Sequence, residues 1–94
     1  MANERSTSVW DALVDSPEDA ENLRLRSKLM RVLTKTVLSW ELPQKDAARK
    51  LRLTQPRLSE LLNGKIDKFS LDALVNMLAS ADLEIDFTVK EKAA

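Results

Sequence analysis

The chain has 94 residues, with 15 basic and 15 acidic side chains and neither cysteine nor histidine. It is long enough for one small domain, a size at which help from a partner chain is unsurprising. Disulfides and Cys or His metal sites are excluded, and the side chain enzymes use most for acid–base work is missing.

The zero net charge hides a sorted distribution. Residues 23–68 carry a net +8, and the two ends together carry −8. Screening confines charge effects to about 8 to 10 Å, so a polyanion meeting the middle of the chain would encounter a cation. No apolar run approaches a membrane span, and residues 1–8 lack the apolar core of a secretion signal, so the expectation is a cytoplasmic protein with no membrane partner.

Residues 1–16 read as a flexible arm with a docking segment inside it. MANERSTS has no periodicity, whereas Val9, Trp10, Leu13 and Val14 set apolar groups among acids. Two readings fit that segment equally well: it folds back on the protein's own helices, or Trp10 and Leu13 anchor a basic partner. Ser16-Pro17 then starts a helix, with Ser as cap, Pro in the first helical position and Glu18 and Asp19 at the positive end of the dipole.

This helix is expected to run to about Trp40. Leu23, Met30, Leu33, Val37 and Trp40 form its apolar stripe, widened by Leu29, Val32 and Leu38. Arg24, Lys28, Arg31 and Lys35 share another face, which is either simply solvated or a contact for a DNA backbone or an acidic segment. Leu42-Pro43 breaks the helix.

Residues 44–65, QKDAARKLRLTQPRLSELLNGK, organise the rest. Ala47, Ala48 and Leu51 fall at helical spacing, as do Leu58, Leu61 and Leu62, with Leu53 at the turn between them. Thr54 suits an N-cap, Pro56 is tolerated in a first turn, and Asn63-Gly64 stops the helix. Ala48 is small enough to let two helices cross closely. Together these features describe a helix-turn-helix reader of DNA over residues 44–64. Gln55, Arg57, Ser59 and Glu60 lie in the opening turns of the second helix, where Gln and Arg can make bidentate pairs with adenine and guanine.

Beyond a short connection, IDKF, Ser70 caps a helix over residues 71–81 whose Leu71, Leu74, Val75 and Leu78 close the core. Met77 is read as packing. In DLEIDFTVK the period changes to two: Leu83, Ile85, Phe87 and Val89 alternate with Asp82, Glu84, Asp86 and Thr88. That predicts a half-buried strand, and no other stretch can pair with it. Residues 82–94 are therefore expected to dimerise the chain or to pair with another protein. The alternating acids are taken as a solvent face and not as a metal site.

Gln44, Ala48, Leu51, Leu53, Thr54-Gln55, Leu58-Ser59, Leu61 and Asn63-Gly64 resemble the Xre group of phage-repressor-like helix-turn-helix proteins. The longer string QPRLSELLNGKIDKFSLDALVNML is similar to HigA-type antitoxins of toxin-antitoxin operons, and the resemblance covers residues 9–89. It implies an all-α, lambda-repressor-like domain of about five helices over residues 17–81, followed by a C-terminal β-strand that pairs across a homodimer. It implies also that Gln44 meets a DNA phosphate; Lys45, Thr54, Asn63, Lys65 and Lys68 are the other candidate phosphate contacts.

The partners so implied are a palindromic double-stranded operator and a small basic ribonuclease toxin. The chain would repress its own operon and neutralise that toxin. One departure is Arg52, which stands where the family usually has glycine. Its rivals are a stand-alone Xre-type regulator without a toxin, and an interaction module that no longer binds DNA. No cofactor and no enzymatic activity are expected: without His, Cys or Tyr, the remaining Ser, Lys and carboxylates form no recognisable constellation.

Overall fold

The computed structural model describes residues 16–92. Trp10 and Leu13, the expected docking anchors, lie outside them. Among the described residues four α-helices occur: α1 Pro17–Trp40, α2 Gln44–Leu51, α3 Gln55–Leu62 and α4 Leu71–Ser80, with a 3-10 turn Ile66–Lys68 before the last. The all-helical expectation holds, with four α-helices and a single 3-10 turn where about five helices were expected.

Each start has a chemical reason. The hydroxyls of Ser16, Thr54 and Ser70 accept the backbone N–H groups of Asp19 (3.1 Å), Arg57 (3.2 Å) and Ala73 (3.1 Å), so α1, α3 and α4 each have a side-chain cap. α2 has none. It follows Pro43, whose carbonyl accepts from Asp46 (2.9 Å) and Ala47 (3.0 Å).

Three of the ends share one device. After α2, Leu53 N–H reaches back to the Ala48 carbonyl (2.8 Å) and Arg52 N–H to Arg49 (3.0 Å). After α3, Lys65 reaches Glu60 (3.0 Å) and Gly64 reaches Leu61 (3.1 Å); after α4, Leu83 reaches Leu78 (2.9 Å) and Asp82 reaches Ala79 (3.1 Å). This is the paired-bond termination that requires a left-handed residue just past the helix. Arg52 (φ 61°), Gly64 (φ 71°) and Asp82 (φ 62°) supply it. The turn of the helix-turn-helix thus holds an arginine in the left-handed region. Arg52 adopts the conformation that glycine would take, at a cost of about 1 kcal/mol or more.

The core runs between all the elements. Leu33 of α1, Leu51 of α2, Leu58 and Leu61 of α3, Phe69 and Leu74 are fully buried, joined by Leu23, Met30, Val37, Ala47, Ala48, Met77 and Leu78. Ala47 and Ala48 let α2 lie close against α3. Several expectations need correction. Val32 and Leu38 are exposed and do not widen the α1 stripe, and Val75 is 40% exposed where a core position was expected. Phe69, read only as part of a connection, is instead among the most buried side chains.

The expected C-terminal strand is absent among the described residues. Leu83 folds down against the core, anchored by its N–H bond to Leu78. Beyond it residues 84–92 make no backbone hydrogen bond among the described residues, and Ile85, Phe87 and Val89 are exposed. The reason is topological: every other described segment is helix or turn, so none can supply a ladder.

A candidate nucleic-acid interface

The capped start of α3 governs which side chains reach outward. Leu58 and Leu61 are pinned in the core, and that fixes the rotation of the helix about its axis. Gln55, Ser59 and Asn63, four residues apart, then share one outer line. Gln55 and Asn63 are exposed and Ser59 is half-buried, with Asn63 Nδ2 3.3 Å from the Ser59 hydroxyl. Gln55 makes no side-chain hydrogen bond among the described residues, so its amide is available to a ligand.

Arg57 and Glu60 belong to a different side of the helix. The Arg57 guanidinium lies 4.0 Å from the centroid of the Phe69 ring. It donates to the Lys68 carbonyl at 2.8 Å and faces the Glu60 carboxylate at 3.4 Å. The group expected to meet a base edge is thus engaged with the protein. Of the four residues expected to read bases, Gln55 and Ser59 come together on the outer line and Arg57 and Glu60 pair elsewhere.

The residues expected at phosphates are all exposed: Gln44 and Lys45 at the start of α2, Thr54 at the start of α3, and Asn63, Lys65 and Lys68 at and after its end. Thr54 is also the cap, with its hydroxyl committed to Arg57 N–H. Helix starts with free N–H groups and nearby lysines are favourable places for phosphate oxygens.

Along α1, Lys28, Arg31 and Lys35 are exposed, and Arg31 lines a shallow pocket together with Gly64 at the end of α3. Arg24 is instead tied to Glu21, donating to both its carboxylate oxygens. That hydrogen bonding holds the Glu21 carboxyl below its ordinary value and raises the Arg24 guanidinium. Lys50 lies with its Nζ 4.4 Å from the Trp40 ring centroid.

A residue the sequence reading passed over sits behind this surface. Arg26 is buried (8% exposed) in the middle of the α1 stripe. Its Nη1 donates to the carbonyls of Ile66 (3.2 Å) and Phe69 (3.3 Å), and its Nε donates to the Asn22 amide oxygen (2.7 Å). No carboxylate among the described residues bridges it. Arg26 therefore clamps both sides of the 3-10 turn that follows α3. A signal existed in the sequence: the stripe jumps from Leu23 to Met30, and the helical position between them is Arg26.

No group of three or more acidic side chains among the described residues gathers closely enough to hold a metal ion. No helix among them is long and apolar enough to cross a membrane. A surface of this kind, two short helices packed over alanines with a capped second helix presenting exposed amides and with Lys45, Lys65 and Lys68 exposed nearby in the chain, suits duplex DNA. None of the curated proteins compared is similar enough to count as a match. A family model described as a helix-turn-helix domain (HTH_37) matches residues 12–90, most of the chain. The chain belongs to this helix-turn-helix domain family, and its fold is that of a DNA-binding regulator.

Proposed function

We propose that the protein is a sequence-specific antitoxin of the HigA type within the Xre group. It represses its own operon by occupying a palindromic operator, and it neutralises a cognate ribonuclease-type toxin. The observation that carries the DNA half is the outer line of α3, where Gln55 projects an uncommitted amide at the helix start. A glutamine so placed can pair with adenine N6 and N7 in the major groove. Ser59 stands next to it on the same line.

Gln44, Lys45, Thr54, Asn63, Lys65 and Lys68 set the register by holding phosphates. Arg57 is left out of the reading set because its guanidinium is already used, and Glu60 is its partner. The protein acts as a homodimer in the cytoplasm, with two α3 helices meeting half-sites about 34 Å apart or a multiple of that. The C-terminal segment joins the two copies.

The toxin half rests on the similarity of residues 55–78 to HigA-type antitoxins and on the acidic segment around Trp10 and Leu13, which suits a basic partner. It does not rest on the geometry. Nothing in the site calls for a catalytic role.

Two measurements test the proposal. In Gln55→Ala, discrimination at one base pair of each half-site should drop by about 1 to 3 kcal/mol, with the other positions read as before. Equal losses on operator and unrelated DNA would instead make Gln55 a phosphate contact. For the toxin, the protein is co-expressed with the product of a small basic reading frame adjoining its gene. Rescue of growth by the full chain supports the antitoxin, and no such frame, or no rescue, leaves a stand-alone regulator.

A further inference from the structure

Between α1, α4 and the C-terminal segment runs an apolar groove of about 610 Å³. α1 lines it with Leu25 and Leu29, α4 with Val75, and the C-terminal segment with Ile85, Phe87 and Val89. Phe87 is 77% exposed and Val89 84%, although both are large and apolar. Clefts of about 300 to 1,000 Å³ enclose a drug-sized molecule, so this one has room for a tryptophan and a leucine side chain.

The chain itself carries a segment of suitable chemistry and length. Val9, Trp10, Leu13 and Val14 stand just ahead of Ser16, the cap of α1. The groove begins close to that cap, since Glu21 and Arg24 also line it. At about 1.5 Å per residue, Leu25 lies about 14 Å and Leu29 about 20 Å along α1 from Ser16. Trp10, six residues before Ser16, can be at most about 20 Å from it. A chain that turns back at Ser16 therefore brings Trp10 to Leu25 with slack, and Leu13 to the level of Glu21.

Charge agrees with that placement. The segment carries Asp11 and Asp15, and Lys90 and Lys92 line the groove with Glu91 between them. Arg24 and Glu21 are already paired with each other. Their hydrogen bond holds the Glu21 carboxyl below its ordinary value, and Lys92 adds to that lowering. The basic end of the C-terminal segment thus stands by the start of α1, where the acidic segment joins.

We infer that residues 9–15 fold back along α1 and seat Trp10 and Leu13 in this groove, against Leu25, Val75 and Phe87. A tethered segment meets its seat at an effective concentration of roughly millimolar, so the burial of two apolar side chains is enough to fill it. The seat is independent of the operator and toxin readings above. It adds a consequence to the second: a basic partner that takes Trp10 and Leu13 must first lift them out of the groove.

The chain has two tryptophans, so Trp40→Phe leaves Trp10 as the only one. In that full-length variant Trp10 should emit at short wavelength and resist quenching by acrylamide, whatever the protein concentration. Adding Val75→Asp or Phe87→Ser should move the emission to the red and restore quenching. Both side chains lie outside the buried core, so far-UV circular dichroism should not change. Leu13→Ala should shift the ratio of seated to free segment about tenfold toward the free form, read as the quenchable fraction. Leu38→Ser removes an exposed apolar group that does not line the groove, and should leave Trp10 as it was.

Red, fully quenchable emission from the outset overturns the seat, as does short-wavelength emission that ignores both groove variants. Shielding of Trp10 that disappears on dilution also overturns it, and gives the groove to the segment of a second copy.

Discussion

The guanidinium of Arg57 stacks 4.0 Å from the centroid of the Phe69 ring, joining the start of α3 to the connection that follows it. With its hydrogen bond to the Lys68 carbonyl, this makes Arg57 a brace between α3 and the 3-10 turn. A side chain so occupied braces α3 and is engaged within the protein in this structure.

Arg57→Ala should therefore cost about 1 to 2 kcal/mol of stability in urea unfolding, the worth of a partly desolvated cation–π contact and one charged hydrogen bond. Its affinity for operator and for unrelated DNA should fall by similar factors. Relaxed preference at a single base pair with unchanged stability would place the guanidinium on a base instead.

Arg26 offers a second test from inside the core. Arg26→Leu keeps the apolar stem but leaves the Ile66 and Phe69 carbonyls without their donor. Two buried acceptors left unpaired should lower stability by roughly 2 to 4 kcal/mol, read as a lower urea midpoint at unchanged slope. A loss under about 0.5 kcal/mol would mean that water takes over the clamp.

The left-handed positions predict opposite signs. Arg52→Gly removes strain at φ 61°, and should stabilise the protein by up to about 1 kcal/mol after the added freedom of the unfolded chain is counted. Gly64→Ala meets no atom within 4 Å but must hold φ 71°, so it should destabilise by about 1 kcal/mol through strain alone. Thermal or urea melts of the two variants check both signs. If Arg52 also touches a phosphate, its glycine variant will bind DNA with a shallower salt dependence despite the gain in stability.

The helix-turn-helix was legible because its signals are local. Thr54, Pro56 and Asn63-Gly64 each fix a few backbone angles, and the leucine spacing fixes the buried face. What escaped depends on residues far apart in the chain. Arg57 looks like a reader until Phe69, twelve positions on, gives its guanidinium somewhere to lie. Arg26 looks like one more surface base until the carbonyls of Ile66 and Phe69 are brought to it. Phe69 was hidden by the turn residues around it, which carry no periodicity to mark a buried ring. The alternation at residues 83–89 was real as a pattern, but strand formation needs a ladder that no other segment among the described residues supplies. Sequence spacing showed where the apolar groups lie and not what would cover them.

The most direct measurement is the affinity of the full chain for its own upstream region and for scrambled DNA of equal length, across a salt series. An operator-reading regulator should prefer the upstream DNA by about a thousandfold or more, with affinity falling steeply as salt rises. Equal, weak binding to both sequences would contradict the assignment of α3 as a base-reading helix.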